Sequence, residues 1–151
     1  MKSYSKKLLI DQIKLKLEKE VLKFNIMGAV VFGSKVKGTD KTCSDTDILI
    51  IADNINPKRQ RRGSEIAQIK SLFAGTPLDI LLMTPEETIS NFRNHNPLFL
   101  DIAEEGVIII DEENFLYNLI KETKEYIEER GIKRLKEGWE FPVKRGVPTY
   151  L

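Results

Sequence analysis

Val30-Val31-Phe32-Gly33-Ser34, then ten residues, then Asp45-Thr46-Asp47-Ile48-Leu49-Ile50-Ile51: this stretch decides how the chain folds. One apolar run rich in valine ends on glycine and serine. A second opens on two carboxylates spaced i and i+2. Side chains on a strand alternate between faces, so Asp45 and Asp47 point the same way, with backbones roughly 7 Å apart. Gly33 lets the backbone approach a bound group closely. Ser34 can cap a helical turn starting at Lys35, where backbone N–H groups attract anions. Two acids on one face beside such a turn read as a divalent-metal site next to a phosphate site.

Working outward, residues 5–24 follow helical spacing through Leu8, Leu9, Ile13, Leu15, Leu17, Val21 and Leu22, with Lys and Glu between them. Residues 26–32 form a first strand and 45–52 a second. Asp53 and Asp40 read as turn residues. Pro57 is placed in the first turn of a helix running to about residue 73. Residues 74–77 break it, and Leu78-Asp79-Ile80-Leu81-Leu82-Met83 is a third strand. Thr84 caps the next helix. Pro97 divides that region into two short helices, and Gly106 precedes a fourth strand at 107–110. Asp111 or Asn114 caps a last helix to about residue 130. This order predicts an α/β (α+β) chain: a small mixed sheet with helices mainly on one face. Residues 1–130 form the domain. Residues 131–151 form an aromatic and basic tail without clear period, carrying Trp139, Phe141 and Tyr150.

Asp79 is the one acid inside an apolar strand. A bare charge buried there is costly, so its presence is best explained if it faces the same cation site as Asp45 and Asp47. Magnesium prefers oxygen ligands and is usually held by one or two carboxylates plus substrate phosphates. Three carboxylates can hold two ions, roughly 3.5–4 Å apart. Lys35 and Lys37 can add charge against the phosphates.

The bulk numbers frame this. At 151 residues the chain is one domain in size, and its 41% apolar content supports a core. The net charge of +1 gives no general electrostatic grip on nucleic acid. No signal peptide opens the chain, and no apolar run is long enough to cross a bilayer. The single cysteine, Cys43, cannot form an internal disulfide. These features predict a cytoplasmic protein with no membrane partner.

Gly33-Ser34, ten residues, then Asp45-Thr46-Asp47 resembles the signature of the DNA polymerase β-type nucleotidyltransferase superfamily. A chain of this size is most similar to its minimal nucleotidyltransferase branch. The landmarks cover residues 26–83 clearly and reach more loosely to about 130. The resemblance implies a nucleotidyltransferase fold and a magnesium-dependent enzyme with two ions. It implies transfer of a nucleoside monophosphate, AMP from ATP by analogy, to a hydroxyl, with release of pyrophosphate. It places nucleotide binding on Gly33 and Ser34, beside the charges of Lys35 and Lys37, and both metal binding and catalysis on Asp45, Asp47 and Asp79. Members often carry Ala-Arg-Gly where this chain has Val36-Lys37-Gly38, which keeps charge but loses the guanidinium fork. The branch is often paired with a HEPN-type toxin, onto a tyrosine of which the antitoxin transfers AMP. A second copy or a partner chain would complete acceptor binding.

Plainer readings attach to other residues. Cys43 is a bystander, and the sole histidine, His95, is a loop or helix-end residue. Lys58-Arg59-Gln60-Arg61-Arg62 reads as a solvated helix face, and the tail aromatics as packing on the domain or a second subunit. Two further functions stay open at this stage: a non-catalytic toxin-binding module, and a nucleotidyltransferase acting on RNA ends or small molecules.

Overall fold

The computed structural model describes residues 2–19, 24–33, 46–136 and 138–142. Helix α1 (Lys2–Lys19) precedes two strands, β1 (Asn25–Phe32) and β2 (Thr46–Asp53). Helix α2 (Gly63–Ser71) leads to β3 (Leu78–Met83), and α3 (Pro85–Arg93) and α4 (Pro97–Glu105) lead to β4 (Val107–Asp111). Helix α5 (Phe115–Glu129) is followed by a small hairpin, β5 (Lys133–Leu135) and β6 (Gly138–Glu140).

The first four strands make one mixed sheet in the order β3-β2-β1-β4. β1 lies antiparallel to both β2 and β4, while β2 and β3 run parallel. A parallel pair needs a crossover, and α2 supplies it. Alternation along the strands sorts the core into two layers. Ile48, Ile50, Leu78 and Leu82 pack with Ile13 and Leu17 of α1 and Ile69 of α2. Leu49, Ile51 and Met83 face the other way, against Phe92 of α3, Phe99 and Ile102 of α4, and Leu116 and Leu119 of α5. Among the described residues, three helices therefore cover one face of this mixed α/β fold and two cover the other.

The local signals explain where several elements begin. Thr84 Oγ1 accepts from the Glu87 backbone N–H, and the Glu87 carboxylate accepts from the Thr84 N–H, a complete capping box. Asn96 Oδ1 accepts from the Leu98 N–H at the start of α4. At α5 the capping group is Asp111, whose two carboxylate oxygens accept from the N–H groups of Leu116 and Tyr117 at 2.7 and 2.8 Å. Asn114 stands at the cap position in the left-handed region and makes no side-chain bond there.

Two expectations need correction. The helix anticipated from Pro57 starts only at Gly63, after a 3-10 turn at Arg59–Arg61. The basic run is also not a uniform solvated face. Arg59, Gln60 and Arg61 are exposed, but Arg62 is 1% exposed. Its guanidinium donates to the carbonyls of Asn56, Pro57 and Leu82 and pairs with Glu87 at 2.7 Å. That network ties the loop after β2 to the end of β3 and to the α3 cap.

In the tail, where no period is legible, the β5–β6 hairpin folds back on α4 and α5. Trp139 is buried with Leu100, Ile127 and Ile132, beside half-buried Phe141. Trp139 Nε1 donates to Asp101 Oδ1 at 2.9 Å. Arg134 pairs with Asp101 and Glu105.

Candidate active site

Three strand ends build the site: the last residues of β1 and the first of β2 and β3. Phe32 pairs with Asp47 across the antiparallel ladder, and Asp47 pairs with Asp79 across the parallel one. Residues paired in this way point to the same face. Asp47 and Asp79 therefore stand side by side on the face covered by α3, α4 and α5, above Leu49 and Leu81. Adjacent strands are about 4.8 Å apart, which is the separation expected of the two backbones.

Below Asp47 the backbone comes unusually near. Gly33 has φ +93°, and a Cβ built on it would overlap Asp47 Oδ2 and lie 3.3 Å from Cγ. Only glycine fits both demands. Sequence reading assigns Gly33 to a phosphate contact. The structure adds that its missing side chain makes room for a carboxylate. Thr46, beside it, is buried, and its backbone N–H donates to the Pro77 carbonyl at 3.2 Å. This bond starts the β2–β3 ladder and so sets the register of the two acids.

The environments of the acids differ. Asp47 is half-buried, whereas Asp79 is exposed at the open end of an outer strand. The desolvation argument for Asp79 thus fails: its charge meets water, not the core. Its position beside Asp47 follows from register instead. Asp45, Ser34, Lys35 and Lys37 lie outside the described residues, as do Cys43 and Asp40.

Two carboxylates on one face at an open sheet end suit a hard cation that also takes ligands from a substrate phosphate. Among the described residues no group of three His, Cys, Asp or Glu side chains is close enough to hold a metal ion. A site for magnesium would rest on Asp47 and Asp79, with the substrate completing it.

Away from this centre, His95 sits in the turn between α3 and α4 with φ +55° and lies flat on Tyr126, ring centroids 3.5 Å apart. Burial, and then the nearby Arg130 charge, push its pKa below the ordinary 6.5. Burial pushes the Glu87 carboxyl up. The Arg62 hydrogen bond, the Thr84 N–H and the Arg62 charge outweigh it and hold Glu87 below 4.5. Neither pairing has a signal in the sequence, because the partners are 31 and 25 positions apart. No helix among the described residues is long and apolar enough to cross a membrane.

Comparison with known proteins gives a consistent picture. The family model described as nucleotidyltransferase domain matches residues 10–131. A candidate protein adenylyltransferase of Methanocaldococcus jannaschii is 30% identical over 115 residues, covering 74% of each chain. A chain in a crystal structure of a toxin–antitoxin with AMP-PNP is 18% identical, with 81% of this chain and 92% of that chain covered and a TM-score of 0.47. A chain in a structure of a tri-AMPylated Shewanella oneidensis HEPN toxin with an MNT antitoxin is 14% identical, with 87% and 93% covered and a TM-score of 0.36. At these scores the two structural likenesses decide neither activity nor partner.

Proposed function

We propose that this chain, which belongs to the nucleotidyltransferase domain family and is a nucleotidyltransferase, moves AMP from ATP to a hydroxyl of a partner protein and releases pyrophosphate. The observation that carries the reading is the pairing of Asp47 with Asp79 on one face at the open end of the sheet, with Gly33 directly beneath Asp47. The name of the archaeal relative, a candidate protein adenylyltransferase, supports both the nucleotide and a protein acceptor.

In this reading the acceptor oxygen attacks the α-phosphorus of ATP. The bond from that phosphorus to the bridging oxygen breaks, and pyrophosphate leaves with the electron pair. Asp79, exposed and unhindered, takes the hydroxyl proton and passes it to water. Asp47, positioned by the ladder beside Gly33, would be a ligand of the magnesium ion that accompanies the triphosphate. Ser34, Lys35 and Lys37 grip the phosphates, and Asp45 joins the metal ligands. Magnesium, when bound, neutralises phosphate charge and polarises the α-phosphoryl group. The resemblance of the Gly33-Ser34 and Asp45-Thr46-Asp47 signature to minimal nucleotidyltransferases favours a tyrosine of a HEPN-type toxin as acceptor and an antitoxin role in the cytoplasm.

The test is incubation with α-labelled ATP, magnesium and a cognate HEPN-type toxin. Label is expected on a toxin tyrosine with the wild type and not with Asp47→Asn. Equal, background-level labelling by both proteins removes the proposal.

A further inference from the structure

Between α3 and α5 lies a cavity of about 200 Å³, open to solvent and lined by neither Asp47 nor Asp79. Phe92 and Leu119, both buried, form its apolar floor, and His95 and Tyr126 form one wall. That wall depends on an uncommon backbone. His95 takes φ +55°, a region that side-chain-bearing residues rarely adopt. The turn lays its ring flat on Tyr126, with centroids 3.5 Å apart. Strain of this kind persists only where the surrounding structure holds it, and it gathers at binding sites.

The rim carries Arg93 from α3 and Glu122 from α5. Their charged ends are 3.9 Å apart, and the side chains are 66% and 59% exposed. A charge-assisted hydrogen bond is about 2.7–2.9 Å long. The two groups therefore face each other without bonding, one a donor and the other an acceptor. The Thr123 hydroxyl, also in the lining, is already engaged, donating to the Leu119 carbonyl at 2.8 Å.

Size and polarity together define an occupant. Pockets for drug-sized ligands run to about 300–1,000 Å³, so this smaller one suits a single ring. A phenylalanine ring would cover the floor and leave both rim groups without a partner. An indole N–H or a guanidinium only donates, so it serves Glu122 and not Arg93. A guanidinium also meets the Arg130 charge, 5.2 Å from the Tyr126 ring. A carboxylate only accepts, and Glu122 repels it. A phenol hydroxyl both donates and accepts. With bonds of about 2.6 Å to Glu122 and about 2.9 Å from Arg93, it closes the 3.9 Å gap as the third corner of a triangle.

We infer that this cavity is a socket for a tyrosine side chain of a partner protein, its ring on Phe92 and Leu119 and its hydroxyl between Arg93 and Glu122. A protein fits better than a free phenol. One ring in so small a pocket binds weakly by itself, and the apolar surface continues past it: Leu98, three residues beyond His95 in the first turn of α4, is 40% exposed. Tyrosine is among the side chains that anchor protein interfaces. The tyrosine held here is an anchor, not the group that is modified. The socket uses neither Asp47 nor Asp79, so it stands or falls apart from the transferase reading.

The experiment titrates the full chain with N-acetyl-tyrosinamide, N-acetyl-phenylalaninamide and the blocked pentapeptide Gly-Gly-Tyr-Gly-Gly, following the ring protons of His95 and Tyr126 by NMR. The tyrosine amide is expected to bind about tenfold tighter than the phenylalanine amide, with the largest shifts on those two rings. The pentapeptide is expected to bind at least as tightly as the tyrosine amide. Arg93→Leu and Glu122→Leu change exposed side chains and are expected to melt as the wild type does. Each is expected to cut the preference for tyrosine below about threefold. Equal affinity for the two amides, shifts at neither ring, or a preference that survives in both variants overturns the inference. So does binding of the amide with the pentapeptide excluded, which would make the site one for a small phenol. Shifts of the same rings on raising protein concentration alone also overturn it, because they would give the socket to a second copy.

Discussion

Gly33→Ala separates backbone strain from site geometry. Gly33 is at φ +93°, and an added Cβ would overlap Asp47 Oδ2. Gly75 is at φ +88°, and an added Cβ there meets nothing within 4 Å. Both alanines take the same left-handed penalty, roughly 1–2 kcal/mol. For a chain of this length that lowers Tm by about 2–4 °C per kcal/mol. The clash at Gly33 is with the tip of a side chain, which can turn aside at the cost of about one polar contact, roughly 0.5–1.5 kcal/mol. The two variants should therefore melt within about 5 °C of each other. Their activities should differ widely. Swinging the Asp47 carboxylate aside by about 1 Å displaces the group proposed as a metal ligand, and errors of that size cost about a hundredfold in rate. The assay is pyrophosphate release from magnesium ATP with an acceptor, alongside thermal melts. Gly33→Ala is expected to lose about a hundredfold in kcat/KM and Gly75→Ala less than threefold. If Gly33→Ala keeps near-normal turnover, Asp47 does not need the position that Gly33 reserves for it, and the site is drawn wrongly. If Gly33→Ala melts far below Gly75→Ala, the position of the Asp47 carboxylate matters to the fold more than to turnover.

Asp79→Asn should abolish label transfer while shifting the unfolding free energy by no more than about 0.5 kcal/mol, because the side chain is exposed; urea denaturation beside the transfer assay checks both halves. Arg62→Ala leaves the Glu87 carboxylate without its partner and three carbonyls without a donor, so it should cost about 3–5 kcal/mol, measured as a drop in urea midpoint. Glu87 has a folded pKa below 4.5, so the unfolded chain binds more protons there. Its contribution is present above pH 4.5 and is lost as the pH falls through the folded value, and Glu87→Gln should flatten that part of the acid unfolding curve. His95 is likewise depressed, below 6.5, so its share of stability is present above pH 6.5 and declines as the medium is acidified. Urea midpoints at pH 7.5 and 5.5 should fall further for the wild type than for His95→Gln, and equal falls would refute the assignment.

Local signals in this chain were readable without any coordinates. The apolar runs of β1, β2 and β3, the Thr84–Glu87 capping box and the two prolines that open α3 and α4 act within a few residues. The i, i+2 spacing of Asp45 and Asp47 is equally a local feature of the sequence, but of the two acids the described residues include only Asp47, in β2. Other features belong to the tertiary structure. Arg62 looks like its exposed neighbours Arg59 and Arg61, and only the convergence of three carbonyls and Glu87 makes it a buried tie. The tail carries too little regular sequence to announce a hairpin; Trp139 finds its place through Asp101 and Leu100, 38 and 39 positions earlier. An acid in an apolar run suggested burial for Asp79, yet β3 is an outer strand and its first residues reach solvent. What sets Asp79 beside Asp47 is the parallel register begun at Thr46 and Pro77. A register is a relation between strands, decided by packing on both faces of the sheet, and no single segment contains it.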